Sequence, residues 1–114
     1  MSDAVRVAAV EDVEPGEALR ISRDVMGTQD DVVLVRTEAG EFYALDNTCS
    51  HALASLAEGW VEDDCIECPL HAAAFSLETG EALSLPATEP VGTHAVEVRD
   101  GEVWVTPGSE KGDL

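Results

Sequence analysis

The stretch Cys49–His71, CSHALASLAEGWVEDDCIECPLH, contains two short motifs that each pair one cysteine with one histidine. The first is CSH at residues 49–51, and the second is CPLH at residues 68–71, after sixteen intervening residues. Thiolate sulfur and imidazole nitrogen are the ligands that zinc and iron–sulfur clusters share, whereas calcium and magnesium take oxygen ligands. The stretch therefore predicts a metal centre held by two loops, which would stabilise a segment too irregular to fold alone.

Short segments of alternating apolar and polar residues make up most of the remaining chain, and no segment has a sustained apolar period of 3.6 residues. The segments predicted as strands are 5–7, 18–21, 31–37, 42–45, 59–61, 65–67, 74–76, 95–99 and 102–105. Turn-forming residues at 38–41 and at Asp100-Gly101 predict two hairpins. We therefore expect an all-β fold, an antiparallel sandwich or partly open barrel.

The chain has 114 residues, which is the length of a single domain, 1–114. Residues from 1 to about 45 and from about 86 to 114 are expected to form a base. Residues from about 46 to 85 are expected to form a small inserted subdomain that carries the metal. The sequence has no run of eighteen apolar residues and no signal-like leader, so we expect a cytoplasmic protein.

The net charge of -18 comes from 24 acidic residues against six basic ones. Such a charge excludes nucleic acids and anionic membranes as partners. Between Arg36 and Arg99 there are twelve acidic residues and no Lys or Arg. Two explanations stay open at this stage: a general adaptation for solubility or high salt, and steering toward a basic patch on a protein partner.

Three cysteines cannot all pair with one another, and a chain without a leader is expected where thiols stay reduced. Metal ligation by Cys49 and Cys68 is therefore favoured over a disulfide. Cys65 is expected on the same strand as Cys68 but opposite Ile66, as a small buried apolar side chain.

Three further side chains have simple structural interpretations. Histidine 94 is distant in sequence from both motifs, and we expect it at the surface. Trp60 and Trp104 are expected to fill the core.

Zinc is the first alternative for the metal, because a structural zinc site can use two cysteines and two histidines. Zinc fingers place a cysteine pair two to four residues apart and a histidine pair three to five residues apart. Here each loop supplies one residue of each kind, and the first spacing is a single residue. The spacing fits zinc fingers poorly, but a structural or interaction module with zinc stays open.

The ligand pattern resembles that of Rieske-type proteins, whose 2Fe-2S cluster has two cysteines on one iron and two histidines on the other. This resemblance implies that Cys49 and Cys68 hold the inner iron, and that His51 and His71 hold the outer, solvent-facing iron. The similarity spans roughly residues 40 to 106, and outside the ligands it includes Trp60, Thr79-Gly80 and Pro86.

Departures from the high-potential members of that family are equally informative. Those members have a disulfide between two cysteines, at the positions where this chain has Ala54 and Leu70. They also have a serine and a tyrosine hydroxyl at the positions where this chain has Ala73 and Phe75. Each hydroxyl would stabilise the added electron, so its absence lowers the reduction potential. We expect a potential at the low end of the Rieske range of about -150 to +300 mV.

A short, acidic, low-potential chain of this type is similar to the ferredoxin components of bacterial multicomponent aromatic-ring dioxygenases, such as the biphenyl and carbazole systems. The resemblance implies a monomer that is not catalytic alone. It would shuttle single electrons from a flavin-containing NAD(P)H reductase to a terminal Rieske non-haem iron oxygenase. A Rieske ferredoxin of another system, such as a diiron monooxygenase, is the second alternative.

Overall fold

The computed structural model describes residues 4–28, 30–48, 55–62, 64–69, 73–83 and 91–107. Within these ranges, nine strands form two antiparallel sheets. The strands are β1 Val5–Ala9, β2 Ala18–Ile21, β3 Val32–Arg36, β4 Phe42–Asp46, β5 Trp60–Glu62, β6 Cys65–Glu67, β7 Ala74–Ser76, β8 Thr93–Arg99 and β9 Glu102–Thr106. The predicted all-β fold is confirmed, and each predicted strand segment overlaps one of these strands.

The larger sheet has the strand order β1-β9-β8-β4-β3-β2 and curls into a half-barrel. The smaller sheet has the order β5-β6-β7 and is inserted in the chain between β4 and β8. Both predicted hairpins are present, since β3 pairs with β4 and β8 pairs with β9. At the second hairpin, Asp100 and Gly101 both have positive φ, as a two-residue type I′ turn requires.

Strand β3 is buried on both faces because its residues 32–35 are all apolar. Side chains alternate between the two faces of a strand. Val33 and Val35 pack in one apolar cluster with Ile66 and Phe75 of the smaller sheet. Val32 and Leu34 pack in a second cluster, inside the half-barrel, together with Val103, Val105 and Ala8. The strand therefore joins the two cores of the molecule.

A one-turn helix, α1 at Arg23–Met26, follows β2 and was not predicted. Its ends carry standard signals: Ser22 Oγ accepts the N–H of Asp24 at 3.1 Å, and Gly27 ends the helix with φ of 73°. Four residues are too few to show an apolar helical period, so the helix is visible only from its caps. No helix in the described part of the chain is long and apolar enough to cross a membrane.

Two burial predictions are wrong, and two more are met only in part. The side chain of His94 is only 4% exposed, because β8 begins at Thr93 and pairs His94 with Ala44 of β4. Trp60 is 58% exposed, because it lies on an edge strand whose inward residue is Val61. Trp104, expected in the core, and Cys65, expected to be buried, are only half-buried, although Cys65 lies opposite Ile66 as expected.

Tyr43, the only tyrosine of the chain, gives a direct test of the fold. Burial raises the pKa of Tyr43 above its usual value of 10.0, and the nearby Glu41 carboxylate adds to the effect. We expect the absorbance of tyrosinate to appear above pH 10 in the folded protein and near pH 10 in denaturant. The folded state holds the Tyr43 proton to a higher pH than the unfolded state does. The stability that Tyr43 contributes is therefore complete below about pH 10 and is lost as pH rises through the folded pKa. Identical titration curves in the two states would contradict the packing of Tyr43.

Candidate metal centre

The residues that flank the first ligand motif are tied together. Thr48 and Ser55, on either side of residues 49–54, form an isolated antiparallel bridge. Asn47, only 1% exposed, reinforces this closure: its Oδ1 accepts the hydroxyl of Ser55 at 3.1 Å and the N–H of Ala57 at 3.0 Å. The N–H of Leu56 also donates to the Asn47 carbonyl at 2.8 Å. The buried amide side chain of Asn47 thus holds the residues that follow the first motif against the end of the strand that precedes it.

Asp30 fixes the same entry from the other side. Its two carboxylate oxygens accept the N–H and the hydroxyl of Thr48, each at 2.9 Å. The N–H of Asn47 donates to the Asp31 carbonyl at 2.9 Å. Hydrogen bonds to an ionised acceptor are among the stronger ones in proteins. The residue directly before Cys49 is therefore positioned by a segment 18 residues away.

A third contact ties the start of β8 to the end of β4. Oδ1 of Asp46 lies 2.9 Å from His94 Nε2, and Oδ2 accepts the N–H of Gly92 at 3.2 Å. The N–H of Asp46 donates to the Gly92 carbonyl at 2.9 Å. A side chain at residue 92 would collide with this carboxylate, since an ideal Cβ would lie 2.5 Å from Asp46 Oδ2. The buried position of His94 is thus explained by its acidic partner near the first loop.

The second ligand motif begins where β6 ends. The side chain of Cys68 is fully buried on the same face as Ile66, and its N–H donates to the Ala73 carbonyl at 2.7 Å. This bond ties Cys68 to Ala73, as the Thr48–Ser55 bridge ties together the residues that flank the first motif. Phe75 and Leu77 continue the buried face along the chain after Ala73.

Gly59 lies between the first ligand motif and β5, and its backbone closely approaches that of Glu67, just before the second motif. An ideal Cβ at this position would lie 1.8 Å from the carbonyl oxygen of Glu67, so only glycine allows the backbones to approach this closely. The next residue, Trp60, pairs with Glu67 across the smaller sheet. The backbone that follows the first ligand motif therefore packs against the backbone that directly precedes the second.

Of the four predicted ligands, only Cys68 lies within the described residues. Cys49, His51 and His71 lie outside them, as do Ala54, Leu70 and Pro86. Within the described ranges, no three His, Cys, Asp or Glu side chains are grouped to hold a metal ion. The set of four ligands therefore stays a prediction, and the structure describes the residues that flank the two motifs.

The surroundings of Cys68 fit a metal-bound thiolate. Burying an isolated charge in an apolar cluster is costly unless a metal or an opposite charge neutralises it. Cys68 is surrounded by Ala73, Phe75 and other apolar side chains of the core. Its sulfur is a soft ligand of the kind that iron–sulfur clusters and zinc both accept. The residues present therefore fit a 2Fe-2S cluster.

Asn47 and Asp30 are site residues that sequence analysis missed. Asn47 was visible as a polar residue next to the CSH motif, but an asparagine before a loop carries no mark of burial. Asp30 lies 18 residues from its partner Thr48, and no local pattern connects them. Only the antiparallel pairing of β3 with β4, which places Val32 opposite Asp46, brings residues 30 and 48 together.

Comparison with known proteins places these features in a family. The Rieske [2Fe-2S] domain model matches residues 3–98. The ferredoxin subunit of 3-phenylpropionate/cinnamic acid dioxygenase from Escherichia coli (strain K12) is 48% identical over 97 residues, which are 84% of this chain and 86% of the relative.

Two solved structures are also similar. One is a chain in the complex of reduced oxygenase and oxidized ferredoxin in carbazole 1,9a-dioxygenase, with 39% identity, a TM-score of 0.82, and coverage of 93% of this chain and 94% of that one. The other is the ferredoxin of carbazole 1,9a-dioxygenase from Nocardioides aromaticivorans IC177, with 38% identity, a TM-score of 0.82, and coverage of 92% and 98%.

The role of Asn47 can be tested with the substitution Asn47→Ala, which removes the acceptor that closes the first loop. We expect the purified protein to lose its metal to a chelator faster, because losing a residue that supports metal ligands usually costs about 10–100-fold in metal affinity. Asn47→Asp retains an acceptor oxygen and should restore much of the retention.

Thr37→Val is the matched control. Thr37 is the other buried polar residue found among the described ones, and its hydroxyl accepts the N–H of Glu41 at 3.1 Å in the β3–β4 turn. We expect Thr37→Val to lower the free energy of unfolding by about 1 kcal/mol without changing the rate of metal loss. Equal rates for the two variants at equal stability would show that Asn47 acts on the fold in general.

Proposed function

Because this chain belongs to the Rieske [2Fe-2S] domain family, we propose that it is a ferredoxin that carries single electrons to the terminal oxygenase of an aromatic-ring dioxygenase. The observation that carries this proposal is the 48% identity, over 84% of the chain, to a subunit named as a dioxygenase ferredoxin. The 39% identical chain found in a complex of oxygenase and ferredoxin supports the same partner.

Cys49 and Cys68 are the proposed ligands of the inner iron, and His51 and His71 those of the outer iron. Once bound, the cluster supplies one-electron oxidation and reduction. Two thiolates and two neutral imidazoles leave the oxidised 2Fe-2S centre formally neutral, so it accepts an electron more readily than a centre with four thiolates. The protein contributes the buried position of Cys68, the closed loops and the apolar cluster behind them.

The remaining parts of the proposal concern the surroundings of the protein. A flavin-containing NAD(P)H reductase is the proposed electron donor, and the cytoplasm is the proposed compartment. A monomer is proposed because a net charge of -18 on each copy opposes self-association. The aromatic substrate is bound by the oxygenase, and this chain delivers electrons only.

The reduction potential tests the chemistry of the site. Ala73 and Phe75 are fully buried in the same apolar core as Cys68, and neither side chain has a hydroxyl group. We expect a midpoint below about +100 mV, within the Rieske range.

Phe75→Tyr should raise this midpoint potential by about 60 mV or more. A hydrogen bond to a charged acceptor contributes about 1.5–3 kcal/mol, and a tenfold change in the equilibrium constant of a one-electron couple corresponds to about 59 mV. Phe75→Leu, which changes the packing without adding a hydroxyl, is the control. A wild-type midpoint above about +100 mV, or equal shifts in the two variants, would contradict this account.

The function itself is tested by reconstitution. The purified protein should be coloured, and when reduced it should give the low-average-g EPR signal of a Rieske centre. Mixed with the reductase and oxygenase of the Escherichia coli 3-phenylpropionate/cinnamic acid dioxygenase, it should sustain NAD(P)H-driven ring hydroxylation that stops when it is left out. His71→Cys should shift the EPR signal toward that of a four-thiolate centre. A colourless, zinc-containing protein would overturn the proposal, and turnover only with a diiron monooxygenase would reassign the partner.

A further inference from the structure

The outer face of the smaller sheet is ordered by strand register into two rows. Trp60 pairs with Glu67, which pairs with Ala74. Glu62 pairs with Cys65, which pairs with Ser76. The row between them, Val61, Ile66 and Phe75, points into the core. The outer face thus presents an aromatic ring and two carboxylates.

Trp60 is exposed to an unusual degree for its size. At 58% it is the most exposed large apolar side chain among the described residues, ahead of Leu83, Val25 and Val98. Single exposed apolar residues are common on protein surfaces, so exposure alone implies nothing. Tryptophan, however, is enriched among the residues that dominate binding energy at protein interfaces. The position and the charge surroundings of Trp60 therefore decide its meaning.

The position of Trp60 is beside the second ligand loop. Its partner Glu67 directly precedes Cys68. Paired residues of antiparallel strands have Cα atoms about 4.5–5.5 Å apart. The tryptophan is therefore one strand spacing from the residue next to a proposed cluster ligand. A protein that covers Trp60 would therefore lie beside the start of the second ligand motif.

The charged side chains in the segment that carries Trp60 are all acidic. Glu58, Glu62 and Glu67 lie on or beside β5 and β6, and residues 37–98 of the sequence contain no Lys or Arg. A second copy of this chain would bring its own negative charge, so it is repelled, as are anionic membranes and nucleic acids. The surface that complements an exposed indole with carboxylates on its own strand and on the paired strand is a cationic protein surface, since a guanidinium group can stack on the indole and pair with the acids.

We propose that Trp60, with Glu58, Glu62 and Glu67, is the docking surface for an arginine-bearing patch of the terminal oxygenase. This inference rests on the proposed function, from which it takes the identity of the partner. Trp60 supplies the apolar anchor, and the carboxylates supply orientation and a fast approach. The contact is small, as redox complexes are, so the carrier can dissociate after delivering its electron.

The test measures binding to the immobilised, purified oxygenase of the Escherichia coli 3-phenylpropionate/cinnamic acid dioxygenase by biolayer interferometry, with wild type and variants loaded with cluster. Trp60→Ala should raise the Kd about tenfold or more, and Trp60→Phe should raise it less. The midpoint potential and EPR signal of both variants should equal those of wild type.

Val98→Ala is the matched control, because Val98 is 49% exposed and lies near the end of β8. The start of β8, at Thr93, is the end of the strand that pairs with β4 just before the first ligand motif. Its Kd should stay within twofold of wild type. Glu62→Gln should weaken binding and reduce its dependence on salt.

Each outcome is decisive. Equal affinities of wild type and Trp60→Ala would overturn the docking surface and leave the proposed function intact if turnover continues. Wild type that neither binds the oxygenase nor sustains turnover would overturn both. If turnover continues although no binding is detected at any salt concentration, the terminal oxygenase is not the partner that binds this surface. A dimer of wild type that Trp60→Ala dissociates, measured by sedimentation, would assign the surface to a second copy instead.

Discussion

The burial of β3 on both faces is the constraint on which the rest of the molecule depends. Val33 and Val35 hold the small sheet with its ligand loop, while Val32 and Leu34 close the half-barrel. Full burial of one such side chain contributes about 1.5–3 kcal/mol, and a cavity adds to the cost of truncation. Strand β4 pairs with β3 and runs directly into Asn47. The entry of the first loop therefore takes its position from this strand pair.

Two different kinds of interaction hold the two loops. The residues that flank the first are held by hydrogen bonds that they donate to Asn47 Oδ1 and to the Asp30 carboxylate. The second is held by apolar burial, with Cys68 in the same cluster as Phe75 and with one backbone bond across the turn. Hydrogen bonds fix direction, whereas apolar packing excludes water and lowers the local dielectric. Both are useful where a cluster must keep its geometry while its charge changes.

The charges of the protein are divided between its two parts. Arg6 pairs with Glu102, Arg20 with Asp31 and Arg99 with Glu97, all on the larger sheet or beside it. Arg36 donates to the Val13 carbonyl at 3.0 Å and lies over the ring of Phe42. Between residues 37 and 98 the sequence has no Lys or Arg, so the acids of the small sheet have no such partners from that segment. Negative charge is therefore concentrated on the part that would face an electron-transfer partner.

The sequence alone determined the strands, the hairpins, the family and the four candidate ligands, because these depend on period-2 alternation, turn residues and donor spacing that are local in the chain. The tertiary structure decided the burial of His94, the exposure of Trp60 and the roles of Asn47 and Asp30. His94 meets Asp46 across 48 residues, and Asp30 meets Thr48 across 18. Trp60 is exposed because it lies on the outer face of the smaller sheet, on an edge strand. Such contacts follow from strand order and register, and no local pattern of residues encodes which strands become neighbours.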